Sequence, residues 1–294
     1  MKVDFHVHST ASDGTFAPAG LAARAAQAGF FAMALTDHDN CDGVAEFVAA
    51  PEGRPVKRVA GIELSIDPGE GFDRFHLLGL GIDPASPALQ ALMRRILDER
   101  NARNRRILAN FRRLGIEMEH PEGNRPSVFS FAHGKVLARP HFARWLMLGG
   151  YVGSVAEAFE KYLLGDSPRA TRCYESRWHP EQAAAFEAIH AAGGLAVMAH
   201  PKFWRDGWKR AGADYAAAER ELARLREAGL DGVEAVYQAN TAAENVAFTR
   251  MAARLGYLMT AGSDFHGTTK PTVSLGMEVD ENYIRPFLEA LGLV

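Results

Sequence analysis

Short apolar runs alternate with Ala-rich amphipathic stretches along most of this chain. Val3–Val7, Phe31–Leu35, Val59–Leu64, Phe75–Leu80, Leu195–Ala199, Gly232–Tyr237 and Tyr257–Ala261 have the length and apolar continuity of strands buried in a parallel sheet. Between them, Ala17–Ala28, Pro180–Ala192, Tyr215–Ala228 and Ala242–Leu255 keep a helical period. Gly29, Gly193, Gly229 and Gly256 follow these stretches, where a helix ends most easily on a residue without a Cβ. Pro18 and Pro180 suit first-turn positions, where the missing N–H has no helical partner to lose. Strand–helix alternation with short connections predicts a parallel α/β sheet or barrel.

The alternation stops over residues 86–167, which carry no strand-like run. That segment predicts a mainly helical insertion, a small substrate cap over the face where ligands bind, dividing a barrel built from 1–85 and 168–294. Leu89, Leu92, Ile96, Ile107, Phe111 and Leu114 form a helical stripe within it. The stripe is broken at "RNARNRR", where Arg100, Arg103 and Asn104 occupy positions that the period assigns to core side chains. Between Arg94 and Arg113 eight arginines face two acids, Asp98 and Glu99. The turn is either a solvated basic helix or a surface for an anionic ligand.

Composition narrows the classes. The chain has 294 residues, 47% of them hydrophobic and 23% charged, an ordinary globular balance. A net charge of −3 argues against wholesale nucleic-acid binding while permitting a local basic site. No run is long and apolar enough to span a bilayer, and no basic stretch followed by an apolar one signals secretion, so no membrane role is expected. Cys41 and Cys173 lie far apart and form no zinc-type cluster, which suits a reducing cytoplasm. No GxxxxGK[ST] segment appears, and no obligate protein partner is evident.

The polar outliers fall on strand ends. "VDFHVHSTASDG" ends the first strand with His6 and His8, two residues apart and so on one side, and leads into Asp13. "ALTDHD" ends the second with Asp37, His38 and Asp39, and "GIELS" sets Glu63 among apolar neighbours in the third. "AVMAHP" ends the fifth with His200, and "TAGSDFH" ends the last with Asp264 and His266. His76, in "RFHLLGL", stands apart at the start of its strand. A lone histidine at a strand end is more often structural, but a closed sheet gathers all of these together. Burying so many ionisable groups is costly unless they pair or bind metal. An N/O donor set without thiolate suits Mn²⁺, Zn²⁺ or Fe²⁺, with more ligands than one ion needs.

Taken in order, "DFHVHSTASDG", "LTDHD", "GIELS", "FHLLGLGID", "MAHP" and "GSDFH" resemble the PHP (polymerase and histidinol phosphatase) phosphoesterases over essentially the whole chain. The resemblance implies a distorted (β/α)7 barrel holding two or three divalent ions, Mn²⁺ first. It implies that His6, His8, Glu63 and Asp264 hold one ion, and that Glu63 bridges to a second completed by His76 and His200. Asp13, His38 and His266 would form a third site or serve substrate. Asp13, His38 and His200 are the catalytic candidates, with Asp13, Asp37 and the cluster histidines all open as handlers of the leaving-group proton.

"ERNARNRRI", "ARPHFARWL", "AFEKYL" and "AIHAAGGLAVMAHP" are similar to the PHP subgroup whose helical insert accompanies action on nucleotides. That implies a 3′,5′-nucleoside bisphosphate phosphatase or, alternatively, a 5′-3′ exonuclease on short RNA. One phosphate would be cleaved in the cluster and the other held by Arg103, Asn104, Arg105, Lys135 and Arg139. "YESRWHP" departs from the subgroup and adds Arg177 as a candidate. The rivals are an amidohydrolase, which "TDHD" and "SDFH" fit poorly, and a catalytically weak metal- or nucleic-acid-binding module, which would be expected to have lost ligands.

Overall fold

Seven of the eight strands among the described residues fall on the apolar runs: β1 (Lys2–Asp4), β2 (Ala32–Leu35), β3 (Lys57–Ile66), β4 (Phe75–Leu80), β5 (Leu195–Met198), β6 (Gly232–Tyr237) and β7 (Leu258–Gly262). The computed structural model describes residues 1–51, 53–67, 74–120, 126–131, 137–203 and 215–294; Lys135 lies outside them. The strand order is β7-β6-β5-β4-β3-β2-β1-β8, where β8 (Met277–Glu278) pairs antiparallel with β1. β8 is two residues long, too short to leave a period in the sequence.

Past Asp4 the chain leaves regular strand geometry but keeps pairing. Phe5 N donates to Ala261 O, Asp264 N to His6 O and His8 N to Phe265 O, each at 2.9 Å. These bonds join the β1 and β7 edges, so the sheet closes almost completely into a barrel. His6, His8, Asp264 and His266 therefore belong to one seam.

The sheet is not uniformly parallel. β4 runs antiparallel to both β3 and β5. Only Asp67 to Arg74 separate β3 from β4, and a parallel crossover needs a dozen residues or more. The start of β4 thus lies beside the ends of its neighbours: His76 pairs with Ser65, and Ala199 N donates to His76 O at 2.9 Å. His76 joins the other histidines because its strand is reversed.

The helices are α1 (Pro18–Gln27), α2 (Val44–Ala49), α3 (Pro87–Arg113), α4 (Arg139–Leu148), α5 (Val155–Ala158), α6 (Gln182–Ala191), α7 (Tyr215–Glu227), α8 (Ala242–Leu255) and α9 (Glu281–Ala290). α1 begins on Pro18 and buries Leu21, Ala22, Ala25 and Ala26. α9 packs Ile284, Phe287 and Leu288 into one core with Phe5, Leu78 and Leu80. Pro180 is not in a first turn as the sequence suggests. α6 starts at Gln182 with Glu181 as its N-cap, and the Pro180 carbonyl accepts from Asp67 N at 3.0 Å.

The chain divides into two compact units, Met1–Met93 with His179–Val294, and Arg94–Trp178. The second has its own core, in which Ile107, Leu108 and Phe111 of α3 pack with Phe142, Trp145 and Leu146 of α4. Residues Phe159–Leu163 form a π-helical turn there. Arg100, Arg103 and Asn104 are buried with the stripe, whereas Leu114 lies beyond α3 and is exposed. Gly115 ends the helix with φ of +74°.

Candidate metal centre

Strand ends and strained turns assemble the centre. Among the described residues, three that are not glycine have positive φ: Asp39 (57°), His200 (25°) and Asp264 (58°). All three sit at or beside the candidate ligands, the setting in which backbone strain persists because the surroundings enforce it.

Glu63 is at the middle and fully buried. Its Oε1 lies 2.8 Å from His76 Nδ1, 3.2 Å from His200 Nε2 and 3.3 Å from His6 Nε2. Its Oε2 lies 2.9 Å from His38 Nδ1 and 3.2 Å from His8 Nε2. One carboxylate thus meets five imidazoles, split between its two oxygens. Asp264 Oδ1 adds contacts of 3.6 Å to His6 Nε2 and 3.4 Å to His8 Nε2. Among the described residues three donor groups are close enough to hold an ion each: His6, His8 and Glu63; His38, Glu63 and His76; and His8, Asp13, His38 and His266.

The donors fit divalent metal. His6 Nε2, both ring nitrogens of His8 and Glu63 Oε2 are buried without a hydrogen bond. Buried nitrogens and oxygens are normally bonded, and His6 Nε2, His8 Nε2 and Glu63 Oε2 are exceptions within one donor group of the kind a coordination sphere uses.

Asp13 is presented by the loop after His8. Ser9 N and Oγ donate to Asp37 at 2.8 and 2.6 Å, and Ser12 Oγ donates to it at 2.5 Å. Asp37 therefore fastens this loop. Gly14 is required, since a Cβ there would overlap the His8 carbonyl. Asp13, its side chain 54% exposed, lies 3.3 Å from His266 Nε2, 3.8 Å from His8 Nδ1 and 3.9 Å from His38 Nε2.

Electrostatics in the centre follow from this crowding. Burial opposes charge on His6, but Glu234, Glu63 and Asp264 outweigh it and hold His6 well above the usual imidazole value. Burial likewise opposes charge on His8, which Asp264 and Glu63 nevertheless raise to about 9. Burial would raise Glu63 and Asp264, yet the surrounding histidines hold both carboxyls far below the usual range. Burial, with neighbouring imidazolium charge, lowers His76 and His266. Protons on His6 and His8 thus balance the charge of Glu63 and Asp264.

The insert gathers a different group. Arg103 is 3% exposed, and burial together with Arg100, Arg139 and Arg177 lowers its pKa to about 10. Among the described residues no carboxylate pairs with Arg103, and its Nε is buried without a hydrogen bond. Asn104 Nδ2 donates to Leu137 O at 2.8 Å, and Arg139 Nη1 to Leu163 O at 3.3 Å at the end of the π-helical turn. Arg105 is exposed.

Sequence reasoning missed three residues. Glu234 touches His6, while Tyr237 OH and Lys270 Nζ donate to Asp264 Oδ2 at 3.1 and 2.6 Å, leaving Oδ1 toward the histidines. An acid inside the apolar run "GVEAVY" is the same signal that singled out Glu63 in "GIELS". Lys270 gives no comparable signal.

The PHP domain family matches residues 4–119, the segment carrying His6, His8, Asp13, His38, Glu63 and His76. A 3′,5′-nucleoside bisphosphate phosphatase of Chromobacterium violaceum is 33% identical over 90% of this chain and 87% of its own length. A 5′-3′ exoribonuclease of Haemophilus influenzae is 32% identical over 90% of each. A solved structure of an amidohydrolase from Chromobacterium violaceum, with bound sulfate and no metal, is 32% identical with a TM-score of 0.76, covering 98% of this chain and 96% of that one. Likeness of this extent, added to the matched domain, shows that the chain belongs to the PHP family of phosphoesterase hydrolases.

Proposed function

We propose that the protein removes a phosphate from 3′,5′-nucleoside bisphosphates such as adenosine 3′,5′-bisphosphate, leaving the 5′-monophosphate. The observation that carries this is Glu63, whose two oxygens divide five imidazoles between them, with His6 Nε2 and His8 Nε2 left without a hydrogen bond. The name of the Chromobacterium violaceum phosphatase supports the substrate class. We assign two or three divalent ions to the centre, Mn²⁺ first with Zn²⁺ and Fe²⁺ as alternatives. His6, His8, Glu63 and Asp264 would hold one, Glu63 with His76 and His200 a second, and Asp13, His38 and His266 a third. Divalent ions supply charge neutralisation of the phosphoryl group and activation of water near neutral pH.

The chain's own residues then divide the remaining work. Lys270 and Tyr237 hold Asp264 by one oxygen. Asp37 is occupied by Ser9 and Ser12, which leaves Asp13, His38 and His200 for proton transfer to the leaving oxygen. Arg103, Arg139 and Arg177 are guanidinium donors for the phosphate that is not cleaved, with Asn104, Arg105 and Lys135 as further contacts. The insert, 86–167 by its sequence pattern, is the substrate cap of this reading. Cys41 and Cys173 are free, consistent with a reducing cytoplasm, and no helix among the described residues is long and apolar enough to cross a membrane.

A phosphate-release screen over 5′-, 3′- and 3′,5′-phosphorylated nucleotides and short RNAs tests the proposal. We expect the bisphosphates to be at least tenfold better than either monophosphate. The exoribonuclease name among the relatives favours a second reading, which mononucleotide release from RNA at comparable rates would support. Amide or lactone hydrolysis without phosphate release would overturn both.

A further inference from the structure

We infer that Glu234 is a positioning residue of the metal centre: it turns His6 so that Nε2 faces the ligands, and it anchors the backbone that carries His200. The inference rests on reading the cluster as a metal centre. Glu234 lies on β6 and is fully buried. Its Oε1 is 3.1 Å from His6 Nδ1, and its Oε2 accepts the His200 backbone N–H at 2.6 Å. One carboxylate thus ties the seam after β1 to the strained turn after β5.

The chemistry follows from the two nitrogens of imidazole. In the neutral ring one nitrogen carries the proton and the other keeps its lone pair. A carboxylate beside Nδ1 holds the proton there and leaves Nε2 as the donor, the usual arrangement behind a metal-bound histidine. His6 Nε2 is the buried atom without a hydrogen bond, 3.3 Å from Glu63 Oε1 and 3.6 Å from Asp264 Oδ1. The surroundings make room for this contact. The register of β6 against β7 shifts between Glu234 and Val236, and a Cβ at Gly262 would overlap Glu234 Oε1 and His6 Cβ. Asp4 provides the contrast of a buried acid with a structural task. It accepts from His6 N, Ser263 N, Ser263 Oγ and Gly276 N, and among the described residues no ring nitrogen bonds it.

Zinc titration of wild-type protein and Glu234→Gln, with bound metal counted by elemental analysis, is the first test. An amide cannot accept from both the imidazole and the His200 N–H, so zinc affinity should fall 10- to 100-fold, the scale of lost support behind a ligand. Unchanged affinity in a folded variant overturns the inference and leaves the metal centre standing. The second test uses wild-type protein alone. In ¹⁵N-labelled, zinc-loaded protein, His6 should show a protonated Nδ1 and a metal-shifted Nε2. A protonated Nε2 overturns the inference whether or not the variant folds. Wild-type protein that retains no zinc overturns the metal-centre reading and this inference with it.

Discussion

Glu63 in the barrel and Arg103 in the insert are both buried charges, 0% and 3% exposed, but their surroundings differ in kind. Around Glu63, imidazoles and a second acid interleave, and the carboxyls are held far below their usual range while His8 rises to about 9. Around Arg103, guanidiniums gather, and with burial they lower the pKa of Arg103. The first group mixes charges of both signs, whereas the second gathers charges of one sign. The barrel builds its group from the ends of many strands, so distant parts of the sequence supply ligands in fixed positions. The insert starts from one helical stripe, and α4 and the π-helical turn add to it. A buried charge such as Arg103, which no carboxylate among the described residues pairs, marks a binding site more firmly than exposed charge does, because burial makes an unpaired charge expensive.

The largest effect expected is at the centre of the barrel group. Glu63→Ala or His8→Ala should lower turnover by about 10³-fold or more, the order set by losing several kcal/mol of Lewis-acid stabilisation. Bound metal should fall with it from at least two ions per chain, as counted by elemental analysis. Full activity in Glu63→Ala would end the comparison, since the barrel group would then need no cation.

Removing the metal probes the same deficit. In the metal-free protein His8 has a pKa near 9 against 6.5 for an ordinary imidazole. A group raised on folding stabilises the fold below its unfolded value, and that stability is lost as pH rises through the folded one. The acids are shifted downward, so their contribution fades only in acid and not in this window. Chelator-treated protein should therefore lose melting temperature between pH 6.5 and 9. Reloaded protein should change much less, because the ion takes the place of the protons. Parallel curves for the two forms would show that His8 does not carry the deficit.

Much of this was legible in the chain. β4, β6 and α8 have the bounds of their apolar and amphipathic runs, and the side chains singled out as ligands lie near one another around Glu63 and Asp13. His76 was the misfit, because a period of two reveals a strand but not its direction; only the short span before β4 does. Glu234 was lost among the apolar residues of β6, since its worth depends on His6, which is 228 positions away. In the insert, the helical stripe gave the burial of Arg100, Arg103 and Asn104, but Leu137, which Asn104 bonds, and Arg139, beside Arg103, come from the segment that leads into α4 and from its first residue. No sequence period connects those segments.

In the insert, Arg103→Ala should weaken transition-state binding of a doubly phosphorylated nucleotide by about 1.5–3 kcal/mol, the size of a charge-assisted hydrogen bond. That corresponds to roughly 10- to 150-fold in kcat/KM. An aryl phosphate, which offers no second phosphate, should change far less. Equal losses on both substrates would show that Arg103 serves the core of the insert rather than a ligand.

Arg105 gives the smallest effect and the finest division. It lies two positions from Arg103 on α3, yet it is exposed, so its charge acts through solvent and ions. The Debye length is about 10 Å at 0.1 M salt and about 3 Å at 1 M, so an exposed charge acts mainly on encounter at low salt. Arg105→Ala should therefore reduce kcat/KM for the bisphosphate by about two- to fivefold at low salt, with kcat unchanged. In 0.5 M salt that loss should vanish, whereas the loss in Arg103→Ala should persist, because a buried contact is screened much less. A loss in Arg105→Ala that survives salt would place a direct phosphate contact on the exposed side of α3. The contrast between buried and exposed guanidinium would then fail within the insert itself.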